Sequence, residues 1–243
     1  MNNRLDNELK HDEKILKNAN GVWGREGLVG EFRTKRRAEM IIEYCGMNEN
    51  FTVLEIGCGT GTLTEYLAKT CAQIIATDLS QGFLDLASQK IKYHNVSFQT
   101  ANAERLDNFK DNSFDAVVGL SILHHLDIQS ALQNIHRVLN SGGVMAFSEP
   151  NMLNPQIMIQ KNIPFIKKIL GDSPDETAFF KWQARKLLEQ NGFKNVVVKP
   201  IDFVHPFTTP SFLLNPMIKI SDFLEKIPLI KEIAGSLFIL GKK

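Results

Sequence analysis

The sequence predicts a doubly wound α/β protein, on three observations. From about residue 50 to 150, short β-branched or apolar runs alternate with helix-length segments; those runs are apolar nearly throughout rather than every second residue; and the first of them empties into a glycine-rich turn that opens a helix. Strands that are apolar on both sides are strands covered by helices on both sides.

The runs are 51–56 (FTVLEI), 73–77 (QIIAT), 96–99 (VSFQ), 114–119 (FDAVVG) and 143–148 (GVMAFS), each bounded by Gly, Asp, Asn or Ser. Between them, Leu63, Tyr66 and Leu67, and then Ile128, Ala131, Leu132, Ile135 and Leu139, recur at helical period. After Pro150 the texture changes: Pro155, Pro164 and Pro174 punctuate a region whose apolar stretch (152–170) holds three lysines and no acid, which reads as an insertion or lid. Thr177 to Asn191 reads as a helix with Gly192 just past its end, Phe193 to Lys199 as a sixth strand and Ser236 to Leu240 as a seventh. Between those strands, Ile220, Phe223, Leu224 and Ile227 fall at helical spacing within 211–234, followed by Ile230 and Ile233. That pattern predicts a helix packed on the sheet or on a partner subunit, with a membrane-surface helix as the alternative. The expected organisation is therefore an N-terminal lid (1–40), a ligand-binding core (41–150), insertion helices (151–176), and the rest of the sheet (177–243) with its own helical insertion.

The chain has 243 residues, 43% of them hydrophobic, enough for one full-sized core, and collagen-like, mucin-like and wholly disordered classes are excluded. Its 28 Lys plus Arg against 27 Asp plus Glu give no overall field to collect nucleic acid. The near-neutral total hides an uneven distribution. Residues 50–150 hold six basic and ten acidic groups, 1–37 hold nine against six, and 151–200 hold eight against four. An acidic middle flanked by basic covers suits an anionic or phosphate-bearing acceptor better than the total suggests. Cys45, Cys58 and Cys71 are odd in number and form no CxxC pair, so they read as free thiols of a reducing compartment. The N-terminus lacks a signal-peptide apolar segment and no apolar run nears the roughly 20 residues of a membrane span, so a soluble cytoplasmic protein is expected. His136 and His205 stand apart and no HxH or HExxH spacing occurs, so no metal is expected.

The most informative run is Val53 to Leu67, VLEIGCGTGTLTEYL, a strand, then Gly57, Gly59 and Gly61, then a helix. Bare backbone at the carboxyl end of a strand, next to a helix N-terminus, is a place for a ligand. A dinucleotide loop needs GxGxxG, whose third glycine would stand at Thr62, and a Walker loop needs GK[ST], whereas Thr62 and Leu63 follow Gly61. What remains is ExGxGxG.

On these residues the chain resembles the class I S-adenosylmethionine-dependent methyltransferases, in particular the broad group that includes ubiquinone-biosynthesis and small-molecule methyltransferases. Glu55, Gly57, Gly59 and Gly61 match the family's first motif, with Cys58 and Thr60 between them. Asp78, followed by Leu79, stands where the family's acid accepts from both ribose hydroxyls, a task that suits the acceptor pair of a carboxylate. Asn102-Ala103-Glu104 matches the segment that lies along the adenine, with Asn102 in place of the usual acid. Asn112 to Leu126, which contains Leu120, resembles the fourth-strand motif, and Ile135 to Phe147 the following helix, turn and strand, with Ser141 in place of the common proline. The resemblance implies a Rossmann-like sheet of about seven strands with helices on both faces, an N-terminal lid and helical insertions after strands five and six. It also implies S-adenosylmethionine as methyl donor, S-adenosylhomocysteine as product, and donor contacts at the residues just named.

The family's reaction is an in-line displacement, so the protein must align the reactants, exclude water and, for a hydroxyl acceptor, remove a proton. The resemblance points to a base in the loops after strands four and five. His124 and His125 follow strand four, and Glu149 follows strand five. An imidazole titrates near neutral pH and suits the task; the other reading has one ring packed under the donor and the other capping the next helix, and Glu149 as an ordinary solvated or capping carboxylate. Trp23 between glycines fits a lid that hinges and excludes water. Arg33 and Arg37, one turn apart, read as a solvated basic helix start or as a pair meeting a carboxylate or phosphate. The expected acceptor is a hydroxyl oxygen on a small molecule, lipid-linked intermediate or glycan. Nitrogen or carbon methylation and a non-catalytic S-adenosylmethionine-binding protein are the alternatives. Nucleic acid is disfavoured because the place of an [DNS]PP[YFW] motif reads Ser121-Ile122-Leu123-His124. The apolar stretches 152–170 and 212–233 could wall a pocket, form the interface of a homodimer or touch a membrane surface; monomer and homodimer are both open.

Overall fold

The computed structural model describes residues 3–170, 172–173 and 176–243; Pro174 of the insertion lies outside them. Seven strands form one open sheet: β1 (Thr52–Ile56), β2 (Gln73–Asp78), β3 (Val96–Thr100), β4 (Phe114–Leu120), β5 (Leu139–Pro150), β6 (Lys194–Ile201) and β7 (Ser236–Lys242), in the order β3-β2-β1-β4-β5-β7-β6. The first five are parallel, and β7 runs antiparallel between β5 and β6. The helices are α1 (Asn3–Ile15), α2 (Ala19–Val22), α3 (Gly27–Cys45), α4 (Thr64–Ala68), α5 (Gln81–Lys90), α6 (Ile128–Val138), α7 (Pro155–Asn162), α8 (Pro164–Ile169), α9 (Lys181–Gln190) and α10 (Leu214–Leu224).

The uniform hydrophobicity of the strands has the cause expected of it. Successive residues point to opposite faces. Leu54, Ile56, Val117 and Met145 join Leu132 and Ile135 of α6 and Leu188 of α9 on one side, while Val53, Ala116, Val118 and Ala146 join Ile41 of α3 and Leu67 of α4 on the other. Leu132 and Ile135 are fully buried, each contributing about 1.5–3 kcal/mol relative to exposure. α6 starts where Asp127 caps it, its carboxylate accepting from Ser130 N at 2.8 Å.

Three elements differ from the sequence expectation, each for a local reason. β5 begins at Leu139 rather than Gly143, because Leu139 pairs with Phe114 before the register shifts. The helix expected from Thr177 begins at Lys181; Phe179 is instead bridged to Asn151, with Met152 N donating to Phe179 O at 2.9 Å. The single helix expected over 211–234 is broken into a 3-10 turn, α10 and a second 3-10 turn at Ile230–Ile233. Pro228 has no N–H to continue the ladder, and Leu229 follows in a left-handed conformation (φ 68°). Nor does α10 lay its apolar face on the sheet: Ser221 is its buried residue, and Ile220 and Phe223 point outward. Gly192 takes the left-handed conformation (φ 88°) expected just past α9.

Candidate active site

The strand order reverses beside β1, with β2 on one side and β4 on the other, so the loops leaving the carboxyl ends of these strands diverge and open a crevice. A cavity of about 690 Å³ fills it. Gly57, Gly59, Asp78, Leu79, Asn102, Ala103 and Leu120 lie on its wall, as do Trp23, Arg33, His124 and His125. Gly57, Gly59 and Gly61 all have positive φ (63°, 52° and 78°), which only glycine adopts without strain, and the loop turns tightly enough for Cys58 N to reach Thr77 O.

Other residues expected at the donor are placed off that wall. Glu55 is buried behind the loop. Cys58 is an inert buried thiol whose ionisation burial pushes far up. Gly61 faces Ile91 and Ala87, so its role is packing. Thr60 donates from Oγ1 to Asn20 Oδ1 at 2.6 Å. Glu104 accepts from Asp127 N at 2.9 Å and pairs with the Arg4 guanidinium, so it fastens two segments together.

The N-terminal segment closes over the glycine loop by specific contacts. Beside the Asn20–Thr60 bond, the Trp23 ring lies within 3.0 Å of where a β-carbon on Gly59 would stand, and it packs on Phe83 with ring centroids 5.2 Å apart. Arg25, which the sequence reading passed over, stacks its guanidinium 4.6 Å from the Trp23 ring centroid. It donates to Thr62 Oγ1 (3.1 Å) and Leu120 O (3.2 Å). Its position two residues after the lid tryptophan was the one available signal. Arg33 and Arg37 are not a solvated basic start: both reach Asp202 Oδ2, at 3.3 and 2.6 Å, and Arg37 also donates to Ser236 Oγ.

The electrostatics of the donor end fit the group that the motifs imply. Burial pushes the Glu55 carboxyl up to about 7 and also raises Asp78; burial followed by repulsion from Asp78 and Glu8 pushes Asp12 up to about 8. The nearby cation is Arg25, itself lowered to about 10 by burial and then by Arg37. Buried acids gain from a cationic ligand that restores the charge balance lost with water, and S-adenosylmethionine carries a sulfonium and an ammonium. Asp78 accepts from Gly59 N (2.8 Å) and Ser80 N (2.9 Å), which leaves acceptor capacity for a diol.

Past the donor end lies a cluster of carboxylates and imidazoles. His124 is buried between two acids, Nδ1 at 2.6 Å from Glu149 Oε2 and Nε2 at 3.1 Å from Glu176 Oε1. Burial pulls its pKa down, but the hydrogen bonds and charges of Glu149 and Glu176 outweigh it and push it up to about 9, which favours the imidazolium over the free base. Glu149 is 1% exposed and off the cavity wall, and its Oε1 accepts from Ile122 N and Leu123 N, both at 3.0 Å. It fixes the turn that carries the histidines. Both histidines of this adjacent pair line the cavity and His125 is the more accessible; its Nδ1 lies 2.9 Å from Glu8 Oε2 and its Nε2 3.6 Å from Glu176 Oε1. Arg4, Glu8 and Asp12 recur every fourth residue of α1, a period that puts all three on one helix face and was their only sign in the sequence. Ligand atoms of His124, His125 and Glu176 lie within 4.8 Å of one another, but Lys161 Nζ is already 2.7 Å from Glu176 Oε1 and supplies the local positive charge.

A raised histidine pKa makes stability fall with rising pH. The His124 contribution is complete below its unfolded pKa of about 6.5 and is lost as pH rises through about 9, on the order of 3 kcal/mol. The melting temperature should therefore drop between pH 6.5 and 9.5, and His124→Gln should lower it at pH 6.5 and flatten the decline. An unchanged slope in the variant would place the titration elsewhere.

An open, mostly parallel sheet with this loop order and a donor crevice at the switch point is the architecture of a class I S-adenosylmethionine-dependent methyltransferase. A family profile described as "Methyltransferase domain" matches residues 54–147. The chain is 31% identical over 172 residues to a demethylmenaquinone methyltransferase of Lactobacillus johnsonii, covering 61% of this chain and 70% of that one. It is 28% identical over 172 residues to a ubiquinone/menaquinone biosynthesis C-methyltransferase of Proteus mirabilis (64% and 68%). A solved structure titled an S-adenosylmethionine-dependent methyltransferase, possible histamine N-methyltransferase, from Thermotoga maritima superposes with TM-score 0.66 at 18% identity, covering 96% of this chain and 99% of that one. The chain belongs to the class I methyltransferases, in their ubiquinone-biosynthesis-like group, and uses S-adenosylmethionine.

Proposed function

We propose that the chain methylates a ring carbon of a small hydroxylated aromatic, a quinol bearing an apolar tail. The observation that carries this is that one continuous cavity joins the donor end (Gly57, Gly59, Asp78) to His125 and then to an apolar wall of Ile157, Leu170 and Phe203. The names of the relatives, which act on demethylmenaquinone or in ubiquinone and menaquinone biosynthesis, support a quinone-type ring.

When bound, S-adenosylmethionine supplies an electrophilic sulfonium methyl. Asp78 would hold its ribose and Arg25 its carboxylate, with Trp23 covering it. His125 would take the proton of the ring hydroxyl, turning the ring into an electron-rich phenolate. The ring carbon ortho or para to that oxygen would then attack the methyl, the sulfur–carbon electron pair leaving with sulfur, and the ring proton would pass to water to restore aromaticity. The same proton removal would serve attack by the oxygen itself, the acceptor atom the sequence favours.

The test is incubation of the chain with S-adenosylmethionine and a short-chain demethylated naphthoquinol, followed by mass spectrometry and NMR of the product. A ring methyl is expected. An O-methyl product would return the acceptor to the hydroxyl, and failure to form S-adenosylhomocysteine with any phenol or quinol would overturn the reading.

A further inference from the structure

Two parts of the surface are built inside out. A surface helix ordinarily turns its apolar side to the core and its polar side to water. α7 and α8 depart from this: on the inner side Lys161 Nζ is sequestered against Asp172 (3.0 Å) and Glu176, and Gln160 donates to Asp172, while Ile159 and Phe165 are 50% and 72% exposed. In α10 the inner side carries Ser221, whose Oγ accepts from Phe203 N, with Glu225 just beyond gripping Arg36 through both oxygens at 2.8 Å; Phe223 faces out. Beyond the helix ends, Phe212 and Leu229 stand out from the surface, 83% and 84% exposed, and Leu229 does so from a left-handed backbone that a leucine adopts only at a cost.

These elements are contiguous. Asn154 at the start of α7 donates to Ile233 O at 2.9 Å, Gln156 bonds His205 at 2.9 Å, and α10 packs on the same 203–209 loop through Ser221. They also surround the apolar wall of the cavity, to which Ile169, Leu170 and Phe207 contribute. Lysines are interspersed: Lys168, Lys219 and Lys226 are exposed among the apolar residues, and 152–170 contains no acid. Protruding apolar side chains with three exposed lysines among them, and Asp222 as an exposed acid on α10, complement a bilayer interface with anionic headgroups, where the apolar groups enter the acyl boundary and the ammonium groups meet phosphates. No helix among the described residues is long and apolar enough to cross a membrane, so contact would be from one side.

We propose that the α7–α8 hairpin, the 203–213 segment, α10 and the Leu229 turn form a docking face for an anionic lipid surface, which sets the cavity mouth against the bilayer so that an apolar-tailed acceptor passes in without crossing water. The source of the acceptor rests on the function proposed above; the docking does not, and its test is independent of turnover.

The experiment is co-sedimentation of the full chain with vesicles of phosphatidylcholine alone and with about a third phosphatidylglycerol, alongside F165S/F212S/L229S, none of which touches the donor or the histidine cluster. Binding to the anionic vesicles is expected, weaker on phosphatidylcholine alone and in high salt, and at least about tenfold weaker in the triple variant. Unchanged donor binding by calorimetry confirms that the variant is folded. Absence of vesicle binding overturns the inference, as does a dimer in sedimentation velocity that the triple variant dissociates while vesicle binding is unaltered, since the face would then meet a second copy of the chain. With a methylated acceptor in hand, the variant should keep its rate on a short-chain acceptor and lose it on a long-chain acceptor held in vesicles. A chain that binds vesicles but methylates no quinol would leave the docking face standing and overturn only the acceptor.

Discussion

His125→Ala is expected to slow methyl transfer by about 10²- to 10⁴-fold, the range removed with a general base, while affinity for S-adenosylhomocysteine stays within about threefold. The expectation rests on how Glu8 holds the ring. Burial raises the Glu8 carboxyl, but the hydrogen bond and charge of His125, with a further bond from Ser173 Oγ, outweigh it and keep Glu8 below its usual value and ionised. Glu8 Oε2 lies 2.9 Å from Nδ1 and Glu176 Oε1 3.6 Å from Nε2, so the ring is oriented by a carboxylate on either side. Glu8→Gln removes the anionic partner at Nδ1 and keeps the ring, so it should cost about tenfold, and the double variant should be no slower than His125→Ala alone because the two act as a unit. The deficit should shrink at high pH or with an acidic phenol, whose hydroxyl is already deprotonated. Equal rates for wild type and His125→Ala across pH 6 to 9 would remove it as the base and pass the role to solvent.

What the sequence disclosed and what it hid divide along a physical line. Strands and the donor loop are local: the glycines of 57–61 need positive φ whatever surrounds them, and an unbroken apolar run needs two covered faces, so both are readable in order along the chain. Partners across long separations are not. Asp202 meets Arg33 and Arg37 from 169 and 165 residues away, and Glu8 meets His125 across 117 residues, pairings that only the folded topology creates. The same limit hid the partners of Glu149 and His124. A carboxylate after a strand looks alike in one dimension whether it faces the cavity or, as here, turns back to hold the N–H groups of Ile122 and Leu123. Helical spacing likewise says which residues of 211–227 share a face, but not that the polar face is the one turned inward.

Asp78→Ala is expected to weaken S-adenosylhomocysteine binding by about 10²-fold or more in calorimetry, since hydrogen bonds to a charged group are worth about 1.5–3 kcal/mol each and two are lost with the ribose. Part of the loss would come from the protein itself, because the same carboxylate accepts from Gly59 N and Ser80 N and so ties the glycine loop to the end of β2. Asp78→Asn separates the two contributions: an amide keeps one acceptor oxygen and the side-chain size, so an intermediate loss is expected. Glu104→Gln is the discriminating control. Sequence resemblance sets it beside the adenine, but in the folded chain it faces Arg4 and Asp127 N rather than the cavity, so donor affinity should change by less than about threefold. Arg25→Met completes the comparison. Removing the buried cation leaves Glu55 and Asp78 without it and should raise the dissociation constant by about tenfold or more, with a smaller effect for adenosine, which has no carboxylate. Were Glu104→Gln to fail as badly as Asp78→Ala, the donor would lie along the Arg4 side of the cavity rather than over the glycine loop; equal binding of S-adenosylhomocysteine by Asp78→Ala and wild type would remove Asp78 from the donor site altogether.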